Sequence, residues 1–303
     1  MTIEKTDYRG WANSYRISNG EVEAIVTGDV GPRVMRYGFM GGQNFFKEFE
    51  DQLGRTGEPA WQPRGGHRIW AAPEDPIDTY APDNGPVGIS LTEDSIVAIE
   101  PVEPLTGLEK QIAVRMARQG SGVEVVHRIR NTGSKPRRLA PWALTMMARG
   151  GHGIHGFPPR GTHPEMVAPT NPLVMWAFTN LSDPRWTLLQ RYLILRQDPS
   201  NPVPQKLGTF NARTWGAYLL NGELFVKRFD APGNPSYYTD FGCCYETFTN
   251  ADFLELETLG PVATLAPGDS VSHMERWTAF RGVRVDHWTD DELDRVLGPL
   301  VGA

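Results

Sequence analysis

The sequence is divided into short runs in which apolar and polar residues alternate, and glycine, proline, asparagine and serine make the divisions. Strand side chains point to opposite faces in turn, so this alternation suits half-buried strands and does not fit the 3.6-residue period of a helix. Two runs flank Asn19-Gly20 in "YRISNGEVEAIVTGDVGP", and two more flank Asn221-Gly222 in "AYLLNGELFVKRF". Asn-Gly is the strongest short hairpin signal, because both turn positions want positive φ. Between them lie "KQIAVRMARQGSGVEVVHRIRNTGSKPRRLAPWALTMM" and "RWTLLQRYLILRQ", which keep the same rhythm. An all-β chain is expected. The exception is "TDDELDRVLGPL", where Thr289 and Glu292 form a capping box ahead of Leu293, Val296 and Leu297, predicting a short helix at about 289–298. No linker composition or fixed-period repeat divides residues 1–303, so one domain is expected. Roughly a dozen or more strands in one unit call for a large sandwich or stacked sheets, since a single open sheet of that size curls or splits.

Composition removes several classes of function. The formal net charge is −6, and "KPRR" at 135–138 is too short to track a phosphate backbone, so nucleic acid is not expected as a partner. No apolar stretch reaches the length of a membrane span, and "MTIEKTDYRGW" lacks a basic segment followed by an apolar run. A cytoplasmic protein without membrane partners is the expectation; oligomeric state is left open. The two cysteines, Cys243 and Cys244, are adjacent and would close only a strained ring, so they read as two reduced thiols.

Four stretches could carry chemistry. In "RGGHRIWAAPED" two glycines precede His67 and Arg68, and Trp70, Glu74 and Asp75 follow, as in a loop that approaches a ligand closely. Nine tryptophans are a large supply of flat apolar surface, which suits sugar C–H faces when carboxylates and amides stand nearby; Trp70, Trp142, Trp176, Trp186, Trp215 and Trp277 are candidates. His152, His155 and His163 lie in a Gly- and Pro-rich stretch with no further cysteine or clustered acid to complete a metal set, so no metal is expected. The last is residues 237–280, where Asp240, Glu246, Glu255, Glu257 and Glu275 fall on strands or their ends, just after Lys227 and Arg228. In "DFLELETLGP", alternation puts Phe253, Glu255 and Glu257 on one face and Leu254, Leu256 and Thr258 on the other.

"LELETLGP" followed by "LAPGDSVSHMERWTAF" resembles the end of the galactose mutarotase (aldose 1-epimerase) superfamily, in which a Glu-Thr strand precedes Leu-x-Pro-Gly-Glu and a final aromatic strand. "GPRVMRYGFMGGQNFF" is similar to its opening strand pair, "GGHRIW" lies where its His-Gly-Gly loop would be, and "VEVVHRIRNTGSKPRRLAPWALT" resembles its strand, Asn-x-Gly turn and following strand. The likeness covers most of the chain in order, and "GGHRIW", "KRF" and "LELETLGP" are kept in a bacterial branch distinct from the true mutarotases.

The resemblance implies an all-β fold, a β-supersandwich with few short helices, and a sugar cleft on one sheet. It implies Glu257 as general base toward the anomeric hydroxyl, with Glu255 sharing the cleft or its rim; a like-charged neighbour and burial would both raise a carboxylate's pKa. The superfamily's histidine acid lies in Asn-His-x-Tyr-Phe, whereas residues 141–145 read "PWALT", so Trp142 stands at the acid's place, and an indole is no acid at neutral pH. The expected cleft comprises His67, Arg68, Trp70, Trp142, Lys227, Asp240, Glu246, Glu255 and Glu257, with His67 or Lys227 supplying the proton and no cofactor. Arg68 and Lys227 as a cationic pair would favour an acidic or phosphorylated sugar. The alternative is a sugar-binding protein that kept the cleft and lost catalysis.

Overall fold

A computed structural model describes residues 1–212 and 214–302. Among them 21 strands form two large antiparallel sheets, accompanied by one α-helix and a single 3-10 turn at Pro235–Tyr237. The first sheet places His67–Ala72, Arg137–Met147, Leu254–Leu259, Tyr245–Thr249 and Gln205–Thr209 side by side at its centre. The second sheet sets Glu223–Phe229 and Val123–Asn131 on either side of Ser270–Arg281. One continuous apolar core joins them, drawing Ile17, Val34 and Leu256 from the first sheet and Ile112, Val125, Phe225 and Trp277 from the second. The architecture is the all-β sandwich that the alternating pattern demands.

The two Asn-Gly hairpins differ. Asn221 and Gly222 both take positive φ (50° and 79°) and join Trp215–Leu220 to Glu223–Phe229 as a two-residue turn. At the first hairpin only Gly20 is positive: the register shifts by one, Asn19 faces Val22, and its side-chain oxygen accepts from the backbone N–H of Glu21 and Val22 across a turn centred on Gly20 and Glu21.

The helix runs over Asp290–Val301, longer than the capping pattern indicates. Thr289 caps it by accepting from Glu292 N, as expected. It continues past Gly298 and Pro299 because Leu293, Leu297 and Val301, four residues apart, bury one face against the outer side of the second sheet.

The approach to the strand His67–Ala72 is fixed by buried arginines. Arg64 adopts a left-handed backbone (φ 52°) and donates to Arg55 O, Asn84 Oδ1 and Glu58. Arg33 reaches across to the carbonyls of Pro63 and Gly65 and pairs with Asp83 at 2.6 Å. Gly65 has φ 92°, and a Cβ there would lie 1.9 Å from the carbonyl oxygen of Lys47. Gly65→Ala must therefore move backbone as well as strain φ, and is expected to lower stability by at least about 2 kcal/mol. Chemical denaturation checks this, and an unchanged midpoint would contradict it.

Candidate functional site

The alternation that sets Glu255 and Glu257 together also decides what stands beside them. Phe253, Glu255 and Glu257 face away from the second sheet, while Leu254, Leu256 and Thr258 face it. Registered neighbours on the outward face are Arg68, Leu144, Glu257 and Glu246 in one row, and Met146, Glu255, Phe248 and Lys206 in the next. Loops add Trp61, Tyr80, Trp176 and Phe178 as walls. The result is a cleft of about 410 Å³, within the range of small-molecule sites. Trp176 lies over the strand Gln205–Thr209 in space that a side chain at Gly208 would occupy.

Its charges are mutually arranged. Lys206 Nζ donates to Glu246 Oε2 at 2.7 Å and Glu257 Oε2 at 2.9 Å, and sits over the rings of Trp142 and Trp176. Trp142 Nε1 donates to the same Glu257 oxygen at 2.9 Å. Arg68 lies over Trp70, 4.3 Å from the ring centroid, and pairs with Glu255 at 3.2 Å. Burial pushes the Glu246 carboxyl up to about 8, with Lys206 opposing and Glu257 adding to the rise. Burial likewise pushes Glu255 up to about 7 against the pull of Arg68. Glu257 Oε1, Glu246 Oε1, Arg68 Nε and Nη1, and Trp61 Nε1 are buried and have no partner among the described residues. Each such unmade bond costs about 1–3 kcal/mol. Among the buried unpartnered atoms of the described residues, those of Arg68, Trp61 and Glu257 lie in the cleft lining, where a ligand's polar groups can meet them.

Behind the same strands lies a second polar cluster, and it claims residues expected in the cleft. His67 precedes Arg68 on a strand, so the two point to opposite faces, and His67 faces the second sheet. Lys227 belongs to that second sheet and donates to Leu256 O and Glu275 Oε1. The donors can be ordered from the one fixed acceptor, the carbonyl of His273. His127 Nδ1 donates to it at 3.0 Å, leaving His127 Nε2 to accept from His67 Nε2 at 2.6 Å and His67 Nδ1 to accept from Thr145 Oγ1. Thr258 Oγ1 accepts from His273 Nε2 and donates to Glu275, whose other oxygen accepts from Trp277. Burial raises the Glu275 carboxyl, but Lys227 and the three histidines together hold it well below the usual range. His67, His127 and Glu275 bring ligand atoms within 4.8 Å of one another, yet each of those atoms already has a protein partner. The cluster is a closed hydrogen-bond network between the sheets.

Of the expected cleft residues, Arg68, Trp70, Trp142, Glu255 and Glu257 line the cleft, and Glu246 supports it through Lys206. His67 and Lys227 face the core instead, for the reasons just given. Asp240 sits in a left-handed turn (φ 52°) and does not line the cleft, although its charge reaches Glu246. Lys206 and Trp61 were missed. Lys206 is the one cation of the short strand QKLGT, and no adjoining run of acids marks it as one marks Lys227 and Arg228. Trp277 belongs to the inter-sheet core, and Trp186 is buried with its Nε1 donating to Gln205. Trp215 packs beneath the helix, where His155 Nδ1 donates to its carbonyl. Cys243 and Cys244 are free, buried thiols, and burial pushes the Cys244 thiol up to about 12. A larger cavity of about 660 Å³ lies on the outer side of the second sheet near the helix end. Its Arg191 and Arg276 pair with Asp290, Asp291, Asp294 and Asp230, and its buried atoms without a hydrogen-bond partner among the described residues include Arg191 Nε and Thr214 Oγ1.

With that geometry, the fold is the galactose mutarotase-like one. A galactose mutarotase-like protein from Lactobacillus casei is similar over 88% of this chain and 99% of its own, at 11% identity and a TM-score of 0.55. A counterpart from Clostridium acetobutylicum gives 92% and 98%, at 12% and 0.54. A galactose mutarotase related enzyme from Lactobacillus acidophilus gives 91% and 98%, at 10% and 0.54. No family model matches the sequence, and no curated protein does. Among the described residues no helix is long and apolar enough to cross a membrane.

Two predictions follow from the buried charges. Lys206→Met leaves Glu246 and Glu257 directly opposite each other without a cation. It should cost about 3–5 kcal/mol by denaturation near neutral pH, and an unchanged midpoint would contradict the charge argument.

The second concerns pH and stability. Burial holds His67, His127, His152, His155 and His273 below their usual value. Burial also holds Glu100, Glu246 and Glu255 above theirs. Below about pH 6.5 the unfolded chain binds protons on those histidines that the folded chain refuses, so stability falls with falling pH. Above about pH 4.3 the folded chain keeps carboxyl protons that the unfolded chain releases, so stability falls as pH rises toward the folded values. The histidines outnumber the carboxyls where the two windows overlap, and only the carboxyls act above. Carboxylates held low, such as Glu275, contribute in full throughout this range. The melting temperature should therefore peak near pH 6.5; a curve still climbing at pH 8 would contradict the assignment.

Proposed function

We propose that the cleft binds a reducing monosaccharide and interconverts its anomers by acid–base catalysis, with Glu257 as the base. The observation that carries this is the setting of Glu257. Lys206 and Trp142 hold one carboxylate oxygen, and the other is buried, unpartnered and flanked by aromatic walls. The residue matches the base of the superfamily that the sequence resembles, and the fold supports the comparison. Glu257 takes the anomeric hydroxyl proton as the C1–O5 bond breaks, and the ring oxygen receives a proton from an acid. Rotation about C1–C2 and reversal of both transfers complete the exchange.

Glu255 is the cleft group suited to be that acid. Its carboxyl titrates at about 7, so it is partly protonated near neutrality. Glu255 and Glu257 stand two residues apart on one strand, so both carboxyls face the same cleft. His67 is replaced in this role because it faces the core.

A second reading is a sugar-binding protein without turnover. It is favoured by Trp142 standing at the acid's place, with no histidine among the cleft-lining residues. Polarimetry on freshly dissolved α-anomers of hexoses, uronic acids and sugar phosphates separates the two, alongside calorimetry for binding. Glucose and galactose should relax slowly, because an indole replaces the superfamily's acid. On the sugar that is turned over, Glu257→Gln should lose about 10²- to 10⁴-fold in rate. Glu255→Gln should flatten the pH dependence near neutrality. Full turnover by Glu257→Gln would remove the base assignment, and binding without any accelerated relaxation would leave the second reading standing.

A further inference from the structure

Arg68 bears on which sugar the cleft takes. Its guanidinium is buried over Trp70 and 5.4 Å from the Trp61 ring centroid, its one polar partner is Glu255 at 3.2 Å, and Nε and Nη1 are buried without a partner. The neighbouring cations are differently placed. Lys206 is matched by two carboxylates, and Arg33, opposite Arg68 in register, gives its Nη atoms to Asp83 and two carbonyls, keeps only Nε unpartnered and does not line the cleft. Arg68 is thus the cleft cation with donors to spare, and Trp61 Nε1 is a further unpartnered donor in the same lining. A ligand hydroxyl could accept from one of these, but a buried guanidinium with unused N–H groups is best met by a charged, planar, two-oxygen acceptor.

On this basis, and resting on the reading of the cleft as a sugar site, we infer that the ligand is a monosaccharide bearing a carboxylate, a uronic acid, held by Arg68 with its anomeric centre toward Glu257. A phosphate fits less well. It brings nearly two charges to a cleft that already holds Glu255 and Glu257, where Arg68 is the one lining cation with donors left among the described residues. The ligand carboxylate would also meet Glu255, which faces Arg68, Glu257, Lys206 and Tyr80. Protonated, Glu255 is neutral and does not oppose the incoming carboxylate; ionised, it repels it. Because Glu255 titrates at about 7, uronate affinity should fall as pH rises through neutrality, while a neutral sugar has no carboxylate to be repelled.

The test is calorimetry on the full chain with glucuronate, galacturonate, the parent hexoses and their 6-phosphates, at pH 6 and pH 8. A uronate should bind roughly ten- to hundredfold tighter than its parent hexose at pH 6. The advantage should shrink at pH 8, and Arg68→Gln should bring the ratio close to one. The wild-type ratio and its pH dependence are read without any variant, so they decide the matter even if Arg68→Gln does not fold. Hexoses that bind as tightly as uronates would overturn the inference and leave the sugar reading intact. Tightest binding of a 6-phosphate would overturn the choice of carboxylate. No binding by any member would overturn the sugar reading and this inference with it.

Discussion

The strand Leu254–Leu259 carries buried charge on both sides, and much of the structure is arranged to make that tolerable. On its outer face Glu257 is held by Lys206; on its inner face Lys227 donates to the Leu256 carbonyl and joins Glu275, which accepts from Thr258. A buried ion that loses its partner costs several kcal/mol. The five central strands of the first sheet therefore cannot slip by one residue. A slip would send Glu257 into the apolar core and Leu256 into the cleft. Two cation–carboxylate systems, one on each side of a single strand, specify register more strongly than alternating hydrophobicity alone.

That constraint explains which features could be read in advance. Pairing of Phe253, Glu255 and Glu257 on one face was legible because alternation within a strand is local, and so was the all-β class. Local rules also show why His67 and Arg68 could not both enter the cleft, since consecutive strand residues diverge. Lys227 and Lys206 could not be separated by local rules. Both are single lysines in short strands, and what distinguishes them is the sheet each strand joins. Lys206 meets Glu257 across 51 positions of sequence, a pairing set by strand order rather than by pattern. Asp240 illustrates a third limit. It stands near a strand of acids but occupies a left-handed turn, which aspartate tolerates better than most side chains.

Trp142 takes part in both the wall of the cleft and its polar contacts. In register it faces Trp70 on one side and Leu259 on the other, so its ring continues the aromatic wall. Its indole N–H points at Glu257. A donor without an accessible acid proton can orient a base and cannot hand a proton to a ring oxygen. Any proton delivered in this cleft must come from a group that titrates near neutrality, and among the lining residues Glu255 is one that does.

The two polar clusters differ in how completely they are satisfied, and the difference separates architecture from a binding surface. In the inner cluster the threonine, histidine, lysine and glutamate groups follow one self-consistent order of donors and acceptors, with the Thr145 hydroxyl at one end and Glu275 accepting at the other. A network of that kind gains nothing from a ligand and resists any change in protonation. The outer cluster has the same ingredients, cations beside carboxylates beside tryptophans, yet keeps donors on Arg68 and Trp61 and acceptors on Glu246 and Glu257 unpaired. Buried polar groups without partners are costly, and those on Arg68, Trp61 and Glu257 stand in the cleft lining, where a ligand's own polar groups can meet them. Their direction adds the chemistry: acceptors gather around Glu257 and donors around Arg68, so a molecule filling both must present hydroxyl protons at one end and oxygen acceptors at the other.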